Sequence, residues 1–270
     1  MTSIDLIRKR SATEIVRSTL SLYGDYPWLF LILAFVVMAP WDLVKLAVTG
    51  IGPLGDARHV GFLERESLGL LDLLLISPLI SAMHVHAVVA IGDAQRPRLS
   101  AVASKGLRVL PVVGVAALIA GVGVEIGFFA LVIPGIVLWI RLSVVPQAAA
   151  IERNGVRDAL RSSWRLTRDH GSHIFGLLTV FAILGVGVAL SVRALDPGAS
   201  TSAGNVALGI AVNTIIASFT ALASALLYFD LLARRKQAQA VHTALSPSSP
   251  LLASPKSRMH MVEVWRCRDA

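Results

Sequence analysis

The sequence predicts an all-α polytopic membrane protein: six transmembrane helices in three hairpins, with amphipathic interfacial helices on the cytoplasmic side. Three observations predict it. Only 16% of the residues are charged while 55% are hydrophobic, and the mean hydropathy is +0.70; a soluble domain runs about 45–50% apolar and about 25% charged. The apolar residues fall in six blocks, each near the roughly 20 residues that cross a bilayer core of about 30 Å. The basic residues cluster in alternate loops, as the positive-inside rule requires.

Residues 1–27 read as a cytoplasmic N-terminal segment carrying an amphipathic helix. Ser11 and Glu14 fit a capping box, in which the serine hydroxyl and the glutamate satisfy each other's backbone N–H groups. The first apolar block follows this charged stretch without a small-residue cleavage site, so it is expected to stay as an uncleaved anchor. The spans are expected near residues 28–48, 70–91, 109–131, 135–151, 174–192 and 206–232 within a domain of residues 28–236. Spans three and four are joined by Val132, Ile133 and Pro134, with Pro134-Gly135 as turn chemistry.

Arg8, Lys9, Arg10 and Arg17 precede the first span, Arg96, Arg98, Lys105 and Arg108 separate the second from the third, and Arg153, Arg157, Arg161, Arg165 and Arg168 separate the fourth from the fifth. Arg234, Arg235 and Lys236 follow the sixth, whereas the opposite loops hold only Arg58, Arg65 and Arg193. Both termini are therefore expected in the cytoplasm, with the chain in the plasma membrane. This placement also accounts for the net charge of +8 and the pI near 10.4 without nucleic acid as a partner. The single Cys267 excludes an internal disulfide and any cysteine metal cluster.

Each cytoplasmic segment before an odd-numbered span reads as a short helix, capped by Ser11, Ser100 and Asn154 in turn. Their bodies, "IVRSTLSLY", "AVASKGLRV" and "ALRSSWRLT", align loosely as three copies of a surface helix followed by a hairpin. In the third, Val156, Leu160, Trp164 and Thr167 share one face beside a stripe of Arg157, Arg161, Arg165 and Arg168. That pattern suits a helix lying in the interface, its arginines on anionic headgroups, or one that obeys the positive-inside rule and packs beneath the bundle. Residues 237–270 include the Ser/Pro-rich "ALSPSSPLLASP" and are expected to be disordered.

Of the residues that could carry chemistry, His84 and His86 point about 200° apart on a helix, so they do not grip one metal ion and are read as polar interhelical contacts. Gly114, Gly121, Gly123, Gly127, Gly185 and Gly187 are read as close-packing positions, and Asn213 with Thr214 as interhelical hydrogen bonders. No nucleophile, base and orienting group assemble, and no cofactor is called for. The run "IPGIVLWIRL" is the exception, because Arg141 interrupts it and a buried guanidinium needs a partner. Glu125 lies eight residues before Ile133 and Arg141 eight after it, so both sit about 12 Å below the turn. An intramembrane Glu125–Arg141 pair is expected, with snorkelling to the interface as the alternative. Pro146 should bend the same helix and free the carbonyl of Leu142.

The stretch from Ile133 to Arg168 resembles the signature region of the glycerophosphoryl diester phosphodiesterase membrane domain family. The matching positions are Pro134, Gly135, Arg141, Pro146, Glu152, Ala159, Leu160, Ser163, Trp164, Leu166 and Thr167. The likeness covers most of residues 10–235 and is sharp over 133–168; it departs after Arg168, where Asp169-His170-Gly171 stands in place of a direct glycine. It implies a stand-alone, six-helix bacterial membrane domain and no hydrolase activity, since no room remains for a barrel of about 250 residues. The expected function is that of a non-enzymatic membrane protein that interacts with anionic lipid or serves as a scaffold or accessory to partner proteins. The alternative is a small transporter or permease with Glu125 and Arg141 at its site; an aqueous cavity reaching Arg141 would favour the transporter and a dry, closed bundle the scaffold.

Overall fold

The computed structural model describes residues 8–53, 60–94, 97–152, 155–195 and 201–245, and its regular structure there is helical throughout. The helices are α1 (Ala12–Asp25), α2 (Pro27–Thr49), α3 (Phe62–Gly92), α4 (Leu99–Ala130), α5 (Val132–Leu142), α6 (Val145–Glu152), α7 (Val156–Thr167), α8 (Gly171–Leu195) and α9 (Ala203–Leu245). Six segments are long and apolar enough to cross a membrane, with α5 and α6 together making the fourth.

The capping box forms as the sequence predicts: Glu14 N–H donates to Ser11 Oγ at 3.2 Å, and Ser11 N–H donates to Glu14 Oε2 at 2.7 Å. The other two expected caps do not. α4 starts at Leu99 with Arg98 at its N-cap, and it runs unbroken for 32 residues through the expected surface helix and the third span. Nothing between "AVASKGLRV" and the span breaks the helix, so the two form one element. Asn154 lies outside the described residues, and Gly155, at φ 92, holds the N-cap of α7. That left-handed φ suits glycine, which has no Cβ to clash.

α3 contains one wide turn, Asp72–Ile76, with Ser77 N–H bonded to Asp72 C=O. The cause is Pro78, which removes a donor and pushes its ring toward the preceding turn. The carbonyl of Leu74 then faces Gly114 of α4 so closely that a Cβ there would strike it. Gly121 similarly admits the side chain of Leu73, whereas Gly123 and Gly187 have room to spare.

Between α4 and α5 the helix breaks at Leu131 alone (φ −165, ψ 146), and Pro134 falls in the first turn of α5, where its missing N–H is not needed. Gly135 packs on Phe128 and against Gly127, so this glycine serves close helix approach rather than the turn itself. α9 packs on α2 and α3, and α4 on α3, α5 and α6; α8 touches only the edge of the bundle. The core is drawn mainly from Ile80–Ile91 of α3, Val145–Ala150 of α6 and Ala221–Leu231 of α9. α8 instead exposes Ile183, Leu184, Val186 and Leu190, the pattern of a lipid-facing helix.

Two expectations need correction here. α9 continues to Leu245, so residues 237–245 are helical rather than part of a disordered tail. "KQAQAVHTAL" is rich in residues of good helix propensity, and the Ser/Pro-rich stretch that follows lies outside the described residues. The buried face of α7 is Ala159, Ser162, Ser163, Leu166 and Thr167, while Trp164 is exposed with Arg157, Arg161, Arg165 and Arg168. The face expected to enter the headgroup boundary is thus split. Small hydroxyl residues let α7 seat closely on α4, α5 and α6, and Trp164 turns outward.

Candidate functional site

The intramembrane helices leave a half-open cavity of about 660 Å³, bounded by α2, α3, α4, α5, α6 and α9. Its walls are largely apolar, and the charged residues that reach it are Lys45, Asp72 and Glu125. Lys45 stands 18 residues along α2 from Pro27, about 27 Å by helical rise. Its ammonium lies 2.6 Å from Asp42 Oδ1, and Asn213 of α9 donates to Asp42 Oδ2 at 3.0 Å. The Asp42 side chain is wholly buried, so lysine and asparagine compensate a carboxylate that would otherwise be expensive in the membrane. Asn213 thus fulfils its expected interhelical role, whereas Thr214 Oγ1 is buried without a hydrogen-bond partner.

Asp72 belongs to the wide turn of α3, and its Oδ1 accepts from Trp41 Nε1 at 3.0 Å. Glu125 is exposed to the cavity and forms no ion pair or hydrogen bond among the described residues. Deeper in the wall, Gln147 is only 2% exposed; its Nε2 donates to Ser81 Oγ at 2.9 Å, and its Oε1 has no hydrogen-bond partner. Such wide turns are frequent at functional sites, and a mostly apolar cleft of this size with a few fixed polar groups has the form of a ligand pocket.

The expected Glu125–Arg141 pair is not formed. The contact seam between α4 and α5 runs through Gly123 and Gly127 on one side and Gly135, Leu138 and Leu142 on the other. Glu125 is two residues, about 200°, from Gly123, so equal depth does not bring it to Arg141. The arginine turns to α7: its guanidinium carbon is 5.5 Å from the centre of the Trp164 ring, within cation–π range, and Nη1 is buried without a hydrogen-bond partner.

Arg141 also marks a second polar locus, the break between α5 and α6 at Ser143 and Val144. Pro146 was expected to free the carbonyl of Leu142; the carbonyl that finds side-chain donors is Arg141's, one residue earlier. It accepts from Ser163 Oγ at 2.8 Å and from Thr167 Oγ1 at 3.3 Å. Ser162 Oγ and Tyr228 OH both donate to Glu152 Oε1, at 2.6 and 3.2 Å. α7 therefore straps both sides of the bend. Of the arginines expected on lipid headgroups, Arg161 is 4.0 Å from Asp158 across an exposed pair, and Arg153 lies outside the described residues.

His84 is structural: Nδ1 donates to Ile80 C=O at 2.8 Å, Nε2 meets Ser218 Oγ at 3.0 Å, and the ring stacks on Phe30 at 5.6 Å. His86 is buried on the same helix, and no group of three or more metal-ligating side chains occurs among the described residues. At the terminal end of the bundle, Asp230 accepts from Arg10 N–H at 2.6 Å and Arg234 Nε at 2.8 Å, while Arg234 Nη2 donates to Arg10 C=O at 2.6 Å. His173 Nε2 lies 3.4 Å from Asp230 Oδ2. Burial, with the Arg234 charge beside it, holds nearby His170 below the ordinary imidazole range.

Asp42, Lys45 and Asp72 were not singled out from the sequence, although the signal was there. Each is an ionisable residue inside an apolar run, which by itself marks a functional candidate.

Neither the curated proteins nor the solved structures contain a match to this chain. A family model described as a domain of unknown function, DUF7847, matches residues 12–231, from the start of α1 through the apolar part of α9. That match spans most of the chain, and the protein belongs to the DUF7847 family.

Proposed function

We propose that this protein is a non-enzymatic solute-binding permease of the plasma membrane, with both termini in the cytoplasm. The observation that carries the reading is the cavity of about 660 Å³ reached by Lys45, Asp72 and Glu125. A purely scaffolding bundle has no use for ionisable groups at such a place, where each is costly to keep. The site differs from the Glu125/Arg141 pair read from the sequence: Glu125 stays, and Asp72 and Lys45 replace Arg141. The basic loops support the orientation. The exposed arginines of α7 support a second role on anionic lipid, compatible with the first. Kinship with the glycerophosphoryl diester phosphodiesterase membrane domain family rests on the sequence resemblance between Ile133 and Arg168 alone.

The test is cysteine accessibility in proteoliposomes, in a Cys267→Ser background. Ala120→Cys and Ala217→Cys, both on the cavity wall, should react with a membrane-impermeant thiol reagent from at least one side. Arg161→Cys should react only from the cytoplasmic side and Phe62→Cys only from the external side. Cavity cysteines inert from both sides would overturn the permease reading, and external labelling of Arg161→Cys would overturn the orientation.

A further inference from the structure

The chemistry of the cavity selects one class of ligand. Lys45 is already neutralised by Asp42 at 2.6 Å, so it offers no free positive charge. Asp72 accepts a hydrogen bond from the Trp41 indole and lies in the field of the Lys45–Asp42 pair, and Glu125 meets no charged group among the described residues. With Asp42 included, the site holds three carboxylates, Asp42, Asp72 and Glu125, against one ammonium. An anionic ligand would have to enter against that excess. A cation would relieve it.

The third polar group narrows the class. Gln147 is 2% exposed, lines the cavity, and leaves Oε1 without a hydrogen-bond partner while Nε2 is held by Ser81. A buried acceptor left unsatisfied is destabilising, and a ligand N–H would relieve it. The charged groups without a counter-ion contact, Asp72 and Glu125, are acceptors, as is Gln147 Oε1, which calls for a cation that donates hydrogen bonds. The rest of the wall is apolar, including Ile76, Val124 and Ile216, and Trp139 presents an indole. An aromatic face attracts a desolvated cation, and the aliphatic wall suits an apolar body.

We propose that the cavity binds an amphipathic primary or secondary ammonium ion, with its N–H groups on Asp72, Glu125 and Gln147 Oε1 and its apolar body against Trp139 and the aliphatic wall. This rests on the reading of the cavity as a solute site.

The test is equilibrium binding of radiolabelled 2-phenylethylamine to the full-length protein in phosphatidylcholine nanodiscs. Competitors are its trimethylammonium analogue, 3-phenylpropionate and 2-phenylethanol. Saturable binding of the amine is expected, with the quaternary analogue weaker and the carboxylate without effect. Glu125→Gln and Asp72→Asn should each weaken binding by about tenfold or more, the loss of one charge-assisted contact. Glu125 is exposed to the cavity, so its variant should fold, and an unchanged melting temperature checks this. Equal competition by the alcohol or the carboxylate would overturn the cation assignment and leave the solute site standing. No saturable amine binding to protein whose cavity cysteines react would also overturn it. No binding together with inert cavity cysteines would bring down both readings.

Discussion

Ser163→Ala probes the strap across the α5–α6 break with a change of one atom. Ser163 is fully buried, and its hydroxyl donates to the Arg141 carbonyl at 2.8 Å. Among the described residues the only other side chain on that carbonyl is Thr167, at 3.3 Å, whose hydroxyl lies closer to Ser163 C=O, at 2.9 Å, within its own helix. Deleting the serine hydroxyl leaves almost no cavity, so the effect is that of an under-satisfied buried carbonyl, about 1–3 kcal/mol. Thr167→Val alone should cost less, below about 1 kcal/mol, because the shorter serine bond remains. The double variant should exceed the sum of the two by about 0.5 kcal/mol or more, because in each single variant the surviving hydroxyl still serves the carbonyl.

Unfolding in mixed micelles, followed by tryptophan fluorescence, gives these differences, and Trp164 sits beside the perturbed atoms. Ser104→Ala is the control: its exposed hydroxyl only returns to the Ala101 carbonyl of its own helix, at 3.0 Å, so its effect should fall below that of Ser163→Ala. If Ser163→Ala unfolds like the parent and the two changes are strictly additive, the strap is not what holds the bend.

Gly114→Ala should destabilise by about 1–3 kcal/mol, the usual cost of overpacking, because its Cβ would meet the Leu74 carbonyl, a backbone atom that cannot swing away; Gly187→Ala, with open space around it, should be neutral or better in the same unfolding assay. The Ser11 backbone and hydroxyl hold Glu14 below its ordinary value of 4.5. The capping contribution is therefore complete above that value and lost as pH falls through the lower folded value. The protection of the Ser11 and Glu14 amides, their exchange measured against that of the unstructured chain at the same pH, should fall on acidification, and Glu14→Gln should remove that fall. Replacing Arg157, Arg161 and Arg165 with Gln should lower the anionic lipid retained on purification without moving the melting temperature, since all three side chains are exposed; unchanged retention would assign the stripe to topology alone.

The spans were legible because hydropathy and length are properties of a single segment. All six were located, and the structure differs mainly by longer ends, as in α3, which begins at Phe62 rather than near residue 70. What the sequence hid were relations between segments. Equal depth placed Glu125 and Arg141 together, but the rotational setting of α4 against α5 is fixed by the close approach at Gly127 and Gly135, and no count along the chain gives it. α7 misled for the same reason: its pattern contained both an apolar arc and a hydroxyl arc, and the seat on α4, α5 and α6 chose the small hydroxyl residues. The cavity charges are a different case. Asp42, Lys45 and Asp72 interrupt apolar runs as plainly as Arg141 does, and only their meeting at one cavity is invisible along the chain.

The fourth span joins the two polar loci. Trp139, Leu142, Ser143, Pro146 and Gln147 face the cavity, while Arg141 and Glu152 of the same segment are held from the other side by Ser163, Thr167 and Ser162. The break at Ser143 and Val144 thus sets the position of a cavity wall, and α7 sets the break. A ligand that bears on Trp139 and Gln147 has different contact energy with a straighter segment than with this one, which is the condition for coupling between the sites. Coupling of this kind is reciprocal. Ser163→Ala, which touches no cavity residue directly, should therefore weaken 2-phenylethylamine binding, by about fivefold for a coupling at the low end of the usual range. Bound amine should in turn slow amide exchange in α7. Parent affinity in a Ser163→Ala variant that unfolds early would show that the strap supports the fold alone and that the cavity wall does not depend on it.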